Sequence, residues 1–239
     1  DVNYSIKIKD IFIKYREEVN NIKSFEDLSD NDIDKLLKNN EKNKMFIEMN
    51  YIEILENIFK GNNKSLNLLR NLSINCSKEV YVILFELIDE LIRYNNLSNY
   101  NNLLMHIKDR IRDKLDGQML KIDEEVNNLV LYEKSYLWTE DKSFIDKYLD
   151  VKNDSSKNII KDLYLTYFNT IKETFQNIIP KLIMYYLIRI LENNMSSLLL
   201  SNNSIELLEE NETIANERLM LKNEKKKLEQ IKLNISKII

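Results

Sequence analysis

Imidazole and thiol are the side chains best suited to chemistry near neutral pH, and this chain has one of each, His106 and Cys76. One Cys and one His cannot furnish a zinc site of the usual Cys/His kind, and Cys76 cannot close an intrachain disulfide. No Ser holds a motif position that would pair it with His106 as nucleophile and base. His106, between Met105 and Ile107 beside an apolar stripe, reads as a structural or surface residue, and Cys76 as an inert small side chain near a helix start. Adjacent carboxylates such as Glu17 and Glu18, or Asp123, Glu124 and Glu125, point in different directions on a helix and read as solvated faces.

Phosphate chemistry is excluded by a count. Gly61 and Gly117 are the only glycines among 239 residues, whereas a phosphate loop needs two in a short frame and a dinucleotide fold needs three. No cofactor or metal is expected in this chain, and no enzymatic activity of its own. A net charge of -4 gives no electrostatic case for nucleic acid as a partner. The run Lys225-Lys226-Lys227 is flanked by Glu224 and Glu229 and reads as an ordinary charged helix surface, with contact to acidic lipid as the competing reading.

No apolar run approaches the roughly 20 residues that span a bilayer, and Asp1 to Asp10 lack a signal-peptide pattern. The lone cysteine fits a reducing, cytoplasmic compartment, and the absent initiating Met points to a fragment of a longer protein. Asparagine makes up about one residue in seven, well above ordinary usage. We read this as codon bias, and triplets such as Asn71-Leu72-Ser73 as chance rather than glycosylation sites.

With two glycines and the single Pro180, hairpin-rich folds lack their turn residues, so the expected fold is all-α with long helices. Ile8, Phe12, Tyr15, Val19 and Ile22 form a helical stripe that ends near Lys23. Ser29 with Asp32 three residues on marks the start of a short helix through Leu36 and Leu37. Phe46, Ile54 and Ile58 fall in helical register up to Gly61, and the Asn-rich stretch from Asn62 to Asn75 reads as a loop or a poorly packed extension. Val80, Ile83, Leu84, Leu87, Ile88, Leu91 and Ile92 make a wide apolar face that must be core.

From about 101 to 138, Leu104, Ile107, Ile111, Leu115, Met119, Ile122, Val126, Leu129 and Tyr132 recur every three or four residues, which predicts one long helix with Gly117 as a bend or close contact. Residues 146–156 lose periodicity and are the linker candidate. A second long stripe runs from Ile160 through Leu163, Tyr167, Ile171, Phe175, Ile178 and Leu182 to Leu191, with a kink expected near Gln176 to Ile179 because Pro180 removes a donor. In the last helix Leu207, Ile214, Leu221, Leu228 and Ile235 recur every seventh residue, a narrow seam suited to a coiled coil.

The segment Tyr167-Phe168 to Pro180-Lys181-Leu182-Ile183-Met184 resembles the GTPase effector domain of the dynamin family, with its aromatic pair and its aliphatic-Pro-Lys turn. Leu207-Leu208-Glu209-Glu210 followed by Ala215-Asn216-Glu217-Arg218 continues the likeness. Upstream, Phe25 to Ile33, Phe46-Ile47 with Glu53-Ile54-Leu55, and Phe85 to Ile92 look like the dynamin central region. The departure is Gly61 to Asn75, which looks like an insertion.

The resemblance implies an elongated antiparallel four-helix stalk-like bundle, with residues 1–145 as the central region and 157–239 as the effector domain. Residues 146–156 would be a linker where dynamins carry a membrane-binding insert. Within the effector part, 157–200 would be a stalk helix and 204–239 a bundle helix beside the GTPase head. That head, with its GTP and Mg, is expected to lie outside this chain, and the parent to be a peripheral membrane protein. The implied partners are second copies of the chain, the head of the same protein, and membranes. Ile171, Lys172, Pro180 and Lys181 are the implied assembly or coupling residues on the stalk helix, and Arg218 on the bundle helix. The competing reading is a coiled-coil scaffold or tether with no GTPase attached.

Overall fold

A computed structural model describes residues 4–23, 29–43, 51–61, 63–94, 100–150, 157–199 and 212–235. Every regular element among the described residues is helical: α1 (Tyr4–Asn20), α2 (Asp30–Asn43), α3 (Tyr51–Lys60), α4 (Lys64–Tyr94), α5 (Asn101–Ser135), α6 (Lys142–Asp150), α7 (Lys157–Ile183), a π-turn (Met184–Arg189), α8 (Ile190–Leu199) and α9 (Glu212–Ile235). The chain divides into two compact units, one of residues 1–83 with 116–190, the other of 84–115 with 191–239.

In the first unit α1, α4, α5 and α7 form an antiparallel four-helix bundle, and contacts between named side chains fix its directions. Tyr15 of α1 meets Ser73 of α4 at 2.9 Å, and Lys14 reaches Glu79 further along at 2.7 Å, so α1 and α4 run in opposite senses. Arg70 of α4 binds Asp123 and Asn127 of α5, while Tyr81 donates to Asp116 at 2.6 Å, so residues higher on α4 meet residues lower on α5. Glu133 and Glu125 of α5 receive bonds from Tyr167 and from Tyr186 of the π-turn, which sets α7 antiparallel to α5. The core between them holds Tyr15, Val19, Leu66, Leu69, Val80, Ile122, Val126, Tyr164, Phe168, Phe175 and Ile179. Burying each of the large side chains contributes about 1.5–3 kcal/mol.

Local rules set the helix starts. Asp32 N–H bonds Ser29 Oγ at 3.2 Å at the head of α2, the N-cap the spacing predicted. At α4 the cap is Asn63, whose Oδ1 accepts from Leu66 N–H at 2.9 Å. The Asn-rich stretch is therefore neither a loop nor a loose extension. From Lys64 onward it is the first part of α4, with Leu66, Leu69, Ser73, Cys76 and Ser77 buried. Asparagine competes with helical bonding where its side chain finds the backbone, and Asn63 does so at the helix start, where the bond is a cap. Asp141 caps α6 in the same way, its Oδ1 accepting from Phe144 N–H at 3.0 Å. Residues 146–150 are thus helical; 151–156 lie outside the described residues.

Two breaks behave differently from the sequence expectation. A Cβ placed on Gly117 would meet nothing within 4 Å, so this glycine marks no close helix contact. The helix passes through Pro180 and departs from α geometry after it, at 184–189, where Ile190 N–H bonds Tyr185 O. The reason lies in the core spacing. Ile171, Phe175, Ile179, Ile183 and Leu187 are all buried at intervals of four, and at 3.6 residues per turn such a stripe drifts by about 40° per step. A π-turn holds more residues per turn and brings the stripe back onto the core face.

In the second unit the end of α4 and the start of α5 are again antiparallel. Asp89 pairs with Lys108 at 2.6 Å, and the Arg112 guanidinium lies 5.8 Å from the centre of the Phe85 ring. Leu84, Ile88 and Ile92 are buried on one helix and Ile107, Ile111 and Leu115 on the other. Along α9, residues 215–232 are all exposed.

Candidate functional site

The residues singled out on α7 occupy several of its faces. Ile171 and Lys172 are buried, Pro180 is half-buried and Lys181 is exposed. Arg218 is exposed on α9 and belongs to the second unit. The four on α7 do not share one face. What α7 does present is a face made to receive α1.

That face is polar in an otherwise apolar setting. Lys172 extends its ammonium to the carbonyl of Ile22 at 3.2 Å, just beyond the end of α1, and lies 5.4 Å from the centre of the Phe168 ring. Burial holds this lysine below the ordinary lysine range. A cation at a helix C-terminus meets the negative end of the helix dipole and an otherwise unpaired carbonyl. One turn on, Gln176 Nε2 donates to Arg16 O at 3.3 Å and to Asn20 Oδ1 at 2.7 Å. These bonds join residues about 150 positions apart in sequence, and nothing in the local sequence pattern announces them.

At the other end of α7, Tyr167 gathers three segments. Its hydroxyl donates to Glu133 Oε2 at 2.8 Å and accepts from Trp138 N–H at 3.3 Å. Its ring packs on Phe144 of α6 at 5.6 Å and edge-on to Phe59 of α3 at 5.3 Å. Burial raises both the Glu133 carboxyl and the Tyr167 phenol above their ordinary ranges, and the Glu133 charge pushes the phenol further. Beside it Tyr164 stacks on Phe59 and accepts a bond from Asn63 at 3.1 Å, so the capping residue of α4 also ties α4 to α7. The sequence did carry a signal for Asn63, since it stands three residues before Leu66 in capping spacing.

Burial pushes the Cys76 thiol up to about 12, which keeps it protonated and unreactive at neutral pH. His106 Nε2 is buried with no hydrogen-bond partner among the described residues. Among the described residues no group of His, Cys, Asp and Glu could hold a metal ion. The arrangement joins helices: α7 is tied through side chains to α1, α3, α4, α5 and α6.

The family comparison divides the chain at residues 152–153, just before α7. The model of the dynamin central region matches residues 1–153, and that of the dynamin GTPase effector domain matches residues 152–238. No curated protein matches the chain. The central-region match contains α1 to α6 and the effector match contains α7 to α9. With the two models accounting for nearly every residue, and with an all-α bundle that joins the two parts through Lys172, Gln176 and Tyr167, the chain belongs to the dynamin family.

Proposed function

We propose that this chain is the stalk and effector segment of a dynamin-like GTPase, which assembles side by side with further copies on a membrane and couples that assembly to GTP hydrolysis by a head outside the chain. The observation that carries the reading is the union of the two matched regions in one bundle: α7 of the effector part fills the place between α1 and α5 of the central part. Such a unit is a rigid rod segment with lateral surfaces, suited to pairing rather than to holding a small ligand. In this reading the parent remodels or divides membranes, and α9 with Arg218 docks beside the head.

Analytical ultracentrifugation of the chain over a range of concentrations tests the assembly half. Dimers or larger species that grow with concentration are expected, and a strictly monomeric chain at high micromolar concentration would overturn it. The coupling half is tested by adding the chain to the parent's isolated head and measuring GTP turnover. Unchanged turnover with a fully assembled stalk would remove coupling and leave assembly.

A further inference from the structure

We propose that the π-turn at Met184–Arg189 is a movable element, a switch in which its extra residue passes one turn along the helix and each side chain from Tyr185 to Leu187 takes the place of the one after it. The segment is held at both ends. Upstream, Lys172 and Gln176 are bonded to α1 and Ile183 is fully buried; downstream, Leu191 is buried. The buried row now runs from Ile183 through Leu187 to Leu191 in two steps of four. A step of three to Tyr186 followed by a step of five spans the same length of chain. Both routes need one residue more than α winding supplies, before the central core residue in the first and after it in the second. Moving the extra residue therefore turns only the middle of the segment and leaves α7 and α8 where they are.

The sequence suits both placements because its neighbours are alike. Tyr186 donates its hydroxyl to Glu125 at 3.4 Å, a long and weak bond, while Tyr185 beside it is 56% exposed, the two rings 5.0 Å apart and nearly perpendicular. After the shift Tyr185 occupies the place that faces Glu125, Tyr186 enters the core where Leu187 stood, and Leu187 moves to the half-buried place of Ile188. Tyrosine replaces tyrosine at the carboxylate, and one aliphatic side chain replaces another at the half-buried place. Only the core place changes character, from leucine to a larger ring with a hydroxyl, which makes the observed placement the more stable one. The backbone loses no bond. Ile190 N–H bonds Tyr185 O, five residues back; after the shift it takes Tyr186 O, four residues back, and the longer bond passes to an N–H further on. A partner that grips Tyr185 in its exposed place holds the observed placement, and one that covers Leu187 draws out the other. The switch needs neither a second copy nor a GTPase head, so it stands apart from the assembly and coupling proposed above.

Methyl NMR of the whole chain reads the equilibrium directly, through exchange at Leu187 and Ile188 between the observed placement and a minor one populated at about 0.1–10%. Two conservative variants should move it in opposite directions. Tyr186→Phe removes the hydroxyl that Glu125 holds now and spares the core a polar group after the shift, so the minor population should rise about fivefold or more. Tyr185→Phe changes nothing in the observed placement but takes away the donor to Glu125 in the other, so the minor population should fall by about the same factor. Both variants keep the ring, and a merely structural role for the pair gives no reason for opposite effects on one equilibrium. Absence of exchange at Leu187 and Ile188 in the parent chain and in Tyr186→Phe overturns the proposal. So do two variants that shift the population the same way or leave it unchanged. Exchange that reaches Ile183 and Leu191 with the same rate and population also overturns it, because the whole helix end then opens and no residue passes along it.

Discussion

Tyr167 donates its phenolic hydrogen to Glu133 at 2.8 Å, and that one bond joins the first helix of the effector part to the last long helix of the central part. It lies where burial would otherwise leave a carboxylate unmatched. Tyr167→Phe keeps the ring packing on Phe59 and Phe144 but removes the donor to Glu133 and the acceptor for Trp138 N–H. The expected cost is about 1–3 kcal/mol, read from the urea midpoint at neutral pH. A variant as stable as the parent chain would show that water replaces both bonds.

The same pair predicts a pH dependence. Burial, the larger influence, raises the Glu133 carboxyl above the ordinary glutamate range, and the bond from Tyr167 opposes it. A carboxyl whose folded value exceeds its unfolded one favours the fold in acid, and that contribution is lost as pH rises through the raised folded value. Stability should therefore fall across the window just above the ordinary glutamate value, about 4.3. Glu133→Gln should flatten the slope there, measured by urea unfolding at successive pH values; an unchanged slope would assign it to another group.

Lys172 holds the end of α1 without a carboxylate on it. Lys172→Met preserves the buried stem and removes both the ammonium's desolvation and its bond to Ile22, two effects that oppose each other, so the net change should stay within about 1 kcal/mol. Lys172→Glu places a carboxylate against the same carbonyl with no donor nearby and should cost about 3 kcal/mol or more. Amide hydrogen exchange should locate the damage first in α1. Uniform loosening of all helices by Lys172→Glu would mean that α1 does not open separately.

Much of the fold could be read from periodicity, because long helices must repeat their apolar residues at three and four to bury one face. Ser29 as a cap and the stripe through Tyr15 and Val19 are cases where the local pattern and the packing agree. The sequence reading failed where a tertiary contact decided the outcome. Asn63 looked like part of a polar insertion; its Oδ1 caps α4 locally, while its amide donates to Tyr164, a residue about 100 positions away that no local pattern announces. Tyr132 fell within the predicted core stripe of α5, yet the buried positions drift to Gln118 and Val130 and leave it outside. The sequence reading ran the stripe of α7 through Ile178 and Leu182, whereas the buried positions are Ile179 and Ile183, and it is their four-residue spacing from Ile171 to Leu187 that accompanies the π-turn. The joining of α7 to α1 by Lys172 and Gln176 had no local signature at all.

Gly117 lies within α5 with open space where a side chain would go. Gly117→Ala should therefore stabilise the chain by about 1 kcal/mol, through higher helix propensity and a less flexible unfolded state. The denaturant midpoint should rise with an unchanged slope. A loss of stability would show that the helix bends at this residue in solution.

The seam of α9 gives a prediction in which stability and association separate. Leu221 and Leu228 are one heptad apart and each is 66% exposed, so neither contributes to a core among the described residues. Replacing both with Glu should leave the unfolding transition of the rest of the chain within about 0.5 kcal/mol, as for surface positions generally. The same change should weaken association with any helix that covers the seam, because the partner would have to bury two carboxylates without donors. Thermal melting and binding to the parent's head, measured on the same double variant, distinguish the two effects. A loss of more than about 1 kcal/mol from the melt would show that α9 already packs on its own chain in solution. An intact melt with unweakened binding would place the head contact on another face of the helix.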